Sequence, residues 1–416
     1  MNSDISKFYE KGWQERLQIL AEECKLSEEE LDILKSLKPL DFSTANLMIE
    51  NVVSVFALPL AIATHFKING RDYLIPMAIE ESSVVAAACK AAKIARLAGG
   101  FKAEATEQIM IGQIQIFTKG NKEQEIIEKV NTSKKMLLER ANACDPVLVS
   151  FGGGARDIKI RRFDDFIVLH LLVDVKDAMG ANAVNTMCEK LALEIERICD
   201  CRIGLRILSN LAVYRIARAQ ATFPKKVLGE AVDAVIDAWH FANSDQFRAC
   251  THNKGIMNGI DAVAIATGND FRALEAGAHS YACLNGKYKP LTRYWKDKQG
   301  NLVGEIELPI QVGIVGGSTR VNPMAKLCLK ILGVKSAKEL ACVLASVGLA
   351  QNFAALYALA TEGIQRGHMK LHAENIAVQA GAKGAEIKEV ALRMVEMKSV
   401  NEATAREILK EIRKGV

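Results

Sequence analysis

Asp165-Phe-Ile-Val-Leu-His-Leu-Leu-Val-Asp-Val175, followed by the helical stretch from Ala181 to Ile198, decides the fold. The first is a run of β-formers, and the apolar region around it, Phe163 to Val175, is interrupted by Asp164, Asp165 and His170. It reads as a buried strand, and no transmembrane helix is expected in the chain. The second stretch sets Val184, Met187, Cys188, Leu191, Ile195 and Ile198 at i, i+3, i+4, i+7, i+11 and i+14, one face of a helix. Working outward, strands are expected at about 112–117 and 157–163, a charged helix at 121–142 and a strand near 203–219. The order is β-α-β-β-α-β, the split βαβ or ferredoxin-like unit.

The flanks read differently. Residues 1 to 48 are helical, with Glu22, Glu23 and Glu28-Glu-Glu30 on a solvated face. From Glu50 the pattern turns to strands. Phe66 to Ile75 carries Asn69-Gly70 at its centre, the strongest short-range hairpin signal. Such a hairpin delivers Glu80 and Glu81 at its end, before an alanine-rich helix from Val84 to Leu97 that Ser82 or Ser83 caps and Gly99-Gly100 ends. After residue 220 the chain returns to mixed α/β sequence. A small-residue joint at 379–384 precedes two amphipathic helices at about 385–397 and 402–413, a composition that permits hinge motion.

Composition narrows the function. The net charge of +5 is spread along the chain, and only Lys134-Lys135 and Arg161-Arg162 stand out as basic pairs. A nucleic-acid partner would need a basic block with interleaved aromatics, so none is expected. The N-terminus lacks the basic-then-apolar order of a signal peptide. The ten cysteines include no CxxC pair, which favours reduced thiols in a cytoplasm over disulfides or zinc.

The chemistry concentrates in Thr251-His-Asn-Lys-Gly-Ile-Met-Asn-Gly-Ile-Asp261 and in Asp270 of Gly268-Asn-Asp-Phe271. Lys254 among small and polar residues suits a site where negative charge develops on oxygen. Asp270 is also a natural N-cap for a helix from Phe271 to Ala282, and Glu81 a helix N-terminal acid. Gly180, Ala181 and Asn182 leave backbone N–H groups open at a helix start, where a pyrophosphate could bind. Gly152-Gly-Gly154 leaves a plain turn open. His368 and His372 have the i, i+4 spacing of zinc ligands, yet the HExxH glutamate is absent and no third ligand is evident. No metal site is expected, and a metal-dependent hydrolase stays an alternative.

Seven motifs in order carry a resemblance: Glu50-Asn-Val52, Asn69-Gly-Arg-Asp72, Glu80-Glu-Ser-Ser83, Asp177-Ala-Met-Gly-Ala-Asn182, the lysine segment, Gly313-Ile-Val-Gly-Gly317 and Glu362-Gly-Ile-Gln-Arg-Gly-His368. The chain resembles the class II (bacterial-type) hydroxymethylglutaryl-CoA reductases. The resemblance implies an α+β fold in four parts. A large CoA-substrate domain spans 1–108 and 217–377, an inserted ferredoxin-like NAD(P)-binding domain spans 109–216, and a mobile helical flap spans 378–416. It implies a four-electron reduction to mevalonate and free CoA, on a homodimer or dimer-based higher oligomer.

The same resemblance assigns roles. Lys254 holds the oxyanion, Glu81 protonates the aldehyde oxygen, His368 protonates the departing thiolate, and Asp270 couples lysine and glutamate. Arg248 grips the free carboxylate of the substrate, with Ser83, Asn258 and Gln351 at further substrate positions. Asp177, Met179, Gly180, Asn182 and Asn185 lie in the dinucleotide motif, which is not GxGxxG. Asp145 matches an aspartate that recognises ribose hydroxyls, favouring NAD(H) with NADP(H) possible. A non-catalytic CoA-binding protein would keep the fold and lose the four catalytic groups. Ser54 and Ser82 depart from the family's usual glycine and proline, and Tyr9 stands where a relative carries a CoA-phosphate arginine.

Overall fold

The computed structural model describes residues 1–37, 40–118, 122–361 and 373–414. Among these described residues ten strands form two sheets. The larger contains β1 (Leu60–Ile68), β2 (Arg71–Ala78), β3 (Phe101–Ala105), β8 (Ile216–Phe223), β9 (Thr292–Lys296) and β10 (Leu302–Pro309), in the order β2-β1-β3-β8-β10-β9. The smaller contains β4 (Ile109–Phe117), β5 (Gly154–Arg162), β6 (Phe166–Asp174) and β7 (Ile203–Ser209), in the order β5-β6-β4-β7.

The small sheet is antiparallel throughout, and its strand order is that of the ferredoxin-like unit. Helix Ala181–Cys199 covers it with Val184, Met187, Cys188, Leu191 and Ile195 buried. Ile198, expected on this face, is partly buried and packs against the same cluster. Gly112 on β4 makes the close fit possible, because a Cβ there would collide with the Cys188 sulfur.

Two expectations need correction. The strand near 203–219 is two strands in different sheets, β7 closing the small one and β8 crossing to the large one. Ser209-Asn210 is a polar break between them, but Leu211, Ala212 and Val213 resume the apolar run at once, so the stretch reads as one continued strand. The helix at 121–142 is two, Glu123–Thr132 and Lys134–Asn142, bent at Ser133. Ser133 still donates to Lys129 and accepts from Leu137, so hydrogen bonding runs through the bend.

The hairpin forms as expected. Asn69 and Gly70 both hold left-handed conformations, φ 50° and 82°, the geometry that matches the twist of the strands they join. The N-terminus straps this hairpin: buried Ser3 donates to the Phe66 carbonyl, and its amide donates to Asp72, which Arg96 grips with two 3.0 Å bonds. Residues ahead of the hairpin form helices Trp13–Cys24, Glu28–Ser36 and Phe42–Met48.

Two long helices build the core of the large unit, Gln246–Ala266 and Ala337–Ala360. Gly348 of one meets Ile256 and Ile260 of the other, and Gly259 meets Val347 and Gln351, so the axes approach closely. Ala337–Ala360 is the one helix among the described residues long and apolar enough to cross a membrane, and 89% of its most apolar window is buried in this core. The sequence reading found no span of that length, because Gln351 and Asn352 interrupt it. At the C-terminus, Ala385–Glu396 and Glu402–Lys414 share a small core of Val390, Met394, Ile408 and Leu409.

Candidate active site

Lys254 projects from the middle of helix Gln246–Ala266, and Glu81 from the turn between β2 and helix Val84–Arg96. The lysine Nζ lies 3.2 Å from Glu81 Oε2, although 173 residues separate them in sequence. Their side chains remain 60% and 42% exposed, so the pair is open to a ligand. A cation fixed beside a carboxylate offers one group to hold an oxyanion and another to deliver a proton.

Helix packing sets this geometry. Ala88, Ala91, Ala92 and Ala95 bury the helix that follows Glu81, while Ala249 before Lys254 and Ile256, Met257 and Ile260 after it bury the lysine helix. Ser83 holds the N-cap position at φ 73°, a left-handed conformation rather than the extended one usual for a serine cap. Its carbonyl accepts the first helical bond, from Ala87 at 2.8 Å. This unusual turn brings Glu81 and Ser83 to the helix entrance together.

Asp270 caps helix Phe271–Ala282, accepting from the Arg272 and Ala273 amides at 3.1 and 3.2 Å, and it pairs with the Arg272 guanidinium. Among the described residues no ion pair joins it to Lys254 or Glu81. Its neighbour Asn269 reaches the Gly313 amide at 2.7 Å. Asn258 lies one turn beyond Lys254 on the same helical face. Arg248 is half-buried in the first turn, where burial lowers its pKa. Gln351 is buried against Gly259, and among the described residues its Oε1 has no hydrogen-bond partner, an acceptor held beside the lysine helix. His368 and His372 lie outside the described residues.

A buried polar network beneath the lysine was not foreseen. His252 Nε2 lies 2.6 Å from Thr292 Oγ1, which donates to Asn352 Oδ1 at 2.9 Å, and Tyr294 donates to the same oxygen at 3.0 Å. Asn253 bridges the Lys289 carbonyl and the Leu291 amide. The available signal was two polar residues next to Lys254 at positions that helical spacing turns inward. Farther along the helix, burial and then the Glu275 carboxyl push Asp261 up to about 8.

The cofactor candidates occupy one edge of the small unit. Gly180, at φ 96°, caps helix Ala181–Cys199, and any Cβ there would strike Val175. Asn182 is exposed in the first turn. The glycine turn folds against this segment: a Cβ on Gly153 would lie 2.7 Å from the Asp174 carbonyl, and one on Gly152 3.8 Å from Lys176. Several of the named side chains already have structural partners. Asp145 caps helix Pro146–Ser150 through the Leu148 amide, Asp177 accepts from the Ala337 amide, and Asn185 accepts from the Leu208 amide, each at 2.8 Å. Backbone N–H groups at the helix start therefore supply the fit to a pyrophosphate. Among the described residues no three histidine, cysteine, aspartate or glutamate side chains gather as metal ligands.

Comparison with known proteins agrees with this geometry. Residues 12–373 match the family described as Hydroxymethylglutaryl-coenzyme A reductase. The chain is 57% identical to 3-hydroxy-3-methylglutaryl-coenzyme A reductase of Archaeoglobus fulgidus, covering 99% of this chain and 95% of that one. It is 38% identical to the probable enzyme of Borreliella burgdorferi, over 88% and 86% of the two chains. The fold superposes on the Streptococcus pneumoniae reductase with a TM-score of 0.84 at 40% identity, covering 98% of this chain and 99% of that one. A further structure, the class II enzyme of that organism bound to NADPH in open conformations, gives 0.82 at 41% identity, over 97% and 100%. With the lysine and glutamate paired on such a fold, the chain belongs to the hydroxymethylglutaryl-coenzyme A reductase family.

Proposed function

We propose that the chain interconverts (S)-3-hydroxy-3-methylglutaryl-CoA and mevalonate plus CoA through two successive hydride transfers, with NAD(H) favoured over NADP(H). The observation that carries this reading is the open Lys254–Glu81 pair. A reduced nicotinamide supplies hydride when bound. Lys254 holds the oxygen of the thioester carbonyl as negative charge develops on it. Glu81, already at hydrogen-bonding distance from that cation, gives the proton to the aldehyde oxygen in the second reduction. His368 protonates the departing thiolate, by the family pattern alone. Asp270 couples the lysine and the glutamate, likewise by the family pattern. Arg248 takes the free carboxylate of the substrate, with Ser83, Asn258 and Gln351 lining the same cleft.

On the cofactor side, the amides of Gly180 to Asn182 take the pyrophosphate, flanked by Asp177, Met179 and Asn185. Asp145 uses Oδ1 as a helix cap and keeps its other oxygen for a ribose hydroxyl, repelling a 2′-phosphate. The division into units at 1–108, 109–216, 217–377 and 378–416 is supported by separate cores under the two sheets, while the C-terminal core already takes in Ala373, Ile376 and Ala377, ahead of the last boundary.

A homodimer or dimer-based oligomer is favoured by large apolar side chains left exposed: Leu47 at 84%, Val53 at 93%, Phe56 at 91%, and Phe247 on the lysine helix at 89%. Its ten free thiols fit a reducing cytoplasm. Following nicotinamide absorbance with the thioester, NADH and NADPH in parallel, tests the reading. Two NADH oxidised per thioester supports it; NADPH preference overturns the reading of Asp145, and no oxidation overturns the reaction.

A further inference from the structure

Arg215 is among the largest fully buried side chains, at 1% exposure, and it sits where the chain crosses from the small sheet to the large one. Its guanidinium is held almost entirely by carbonyls. Nε donates to Gln108 Oε1 at 2.8 Å, Nη1 to the Met179 carbonyl at 3.0 Å, and Nη2 to the Ala178 carbonyl at 3.1 Å and to that of Val312. The Arg215 carbonyl accepts from Ile310 at 3.0 Å, and Gln108 is itself tied to Thr106 and Val175. One buried cation thus joins both connections between the sheets, the Ala178–Met179 turn, and the segment that follows β10.

Burying a charge without a direct ion pair is costly, and an apolar residue would fill the space with less penalty. What the guanidinium supplies is a fixed fork of donors. The contacts then continue toward the active site. Gly313 packs on the same turn, where a Cβ would lie 2.5 Å from the Met179 amide, and its own amide binds Asn269, the residue before Asp270.

We propose that Arg215 is a positioning residue for the nicotinamide cofactor, locking the Asp177–Asn182 turn and the start of helix Ala181–Cys199 in register with the Asp270 end of the site. The proposal rests on the reading of that turn as the pyrophosphate site. Arg215, itself buried, acts by holding two carbonyls so that the amides just beyond them face outward. Small losses of register at such a site weaken binding strongly.

The test uses the full-length enzyme and steady-state kinetics with reduced nicotinamide and thioester varied separately. Arg215→Met is expected to raise the cofactor KM by about tenfold or more while the thioester KM stays unchanged, and Arg215→Lys to recover part of the loss. If Arg215→Met fails to fold, Gln108→Leu removes one arm of the same clamp, with a smaller shift expected in the same direction. Both KM values rising together, or neither moving, overturns the proposal. Asn182→Asp separates it from the reading beneath it. An unchanged cofactor KM in that variant overturns the pyrophosphate site and the clamp with it; a raised KM there, with Arg215→Met and Gln108→Leu unaffected, overturns the clamp alone.

Discussion

The two halves of the site are built on opposite plans. On the large unit, Lys254 and Glu81 extend from deeply buried helices, and their charged ends meet each other in the open. On the small unit, Asp145, Asp177 and Asn185 each accept from a backbone amide, and main-chain N–H groups at the helix start are the surface proposed for the pyrophosphate. On the proposed reading, the chemistry falls to side chains on one half and the pyrophosphate to backbone on the other. A substitution should remove rate on the first half and shift affinity or stability on the second.

Lys254→Ala gives the strongest test of the first half. Turnover is expected to fall by roughly 10²–10³, equivalent to about 2.7–4 kcal/mol, with thermal unfolding unchanged because the side chain is exposed. Substantial retained turnover would make the lysine a surface residue and erase the contrast. Gly348→Ala probes the support beneath it. The added carbon would sit 2.8 Å from Ile260, and overpacking should cost about 1–3 kcal/mol, read as a lower denaturant midpoint at unchanged slope.

On the second half, Asp145 has two jobs that substitution can separate. Asp145→Ala should cost about 1 kcal/mol through the lost cap and also relax the proposed preference for NADH. Asp145→Ser keeps a capping oxygen and removes the charge, so cofactor preference should relax with stability retained. An unaltered NADH to NADPH ratio in both variants would leave the aspartate a cap and nothing more.

The smallest effect is a pH slope. Asp261, pushed up to about 8, binds its proton more tightly folded than unfolded, so its contribution to stability is lost as pH rises from about 4 to about 8. His252 acts oppositely: burial lowers it to about 3, so stability rises with pH up to about 6.5. Between about 6.5 and 8 only the first effect operates, and Asp261→Asn should flatten the fall in melting temperature there. An equal slope in both proteins would show that the pair with Glu275 does not carry it.

Legibility in the sequence followed the same division. Periodicity made the small unit readable, because Val184 to Ile195 mark one helix face and Asn69-Gly70 one turn. It failed at Asn210 to Arg215, where apolar residues resume directly after Ser209-Asn210 while the chain changes sheets. Lys254 and Glu81 were legible as motifs, yet their meeting depends on packing across 173 positions that no local pattern encodes. The His252, Thr292, Tyr294 and Asn352 network was unreadable for the same reason: each member is an ordinary polar residue until the fold buries it beside the others.

The pairing of β3 with β8 carries a consequence for how the molecule assembles. Ala105 and Ala217 are antiparallel neighbours, so everything between them is topologically the loop of a single hairpin. Closing a loop of about 110 disordered residues before any contact compensates for it is slow and entropically unfavourable. If residues 109–209 first condense into their own sheet, its ends are drawn near one another and the search for that pairing becomes short. The inserted unit would then serve as a folding nucleus for its host, and its refolding should precede formation of the six-stranded sheet in time-resolved hydrogen exchange.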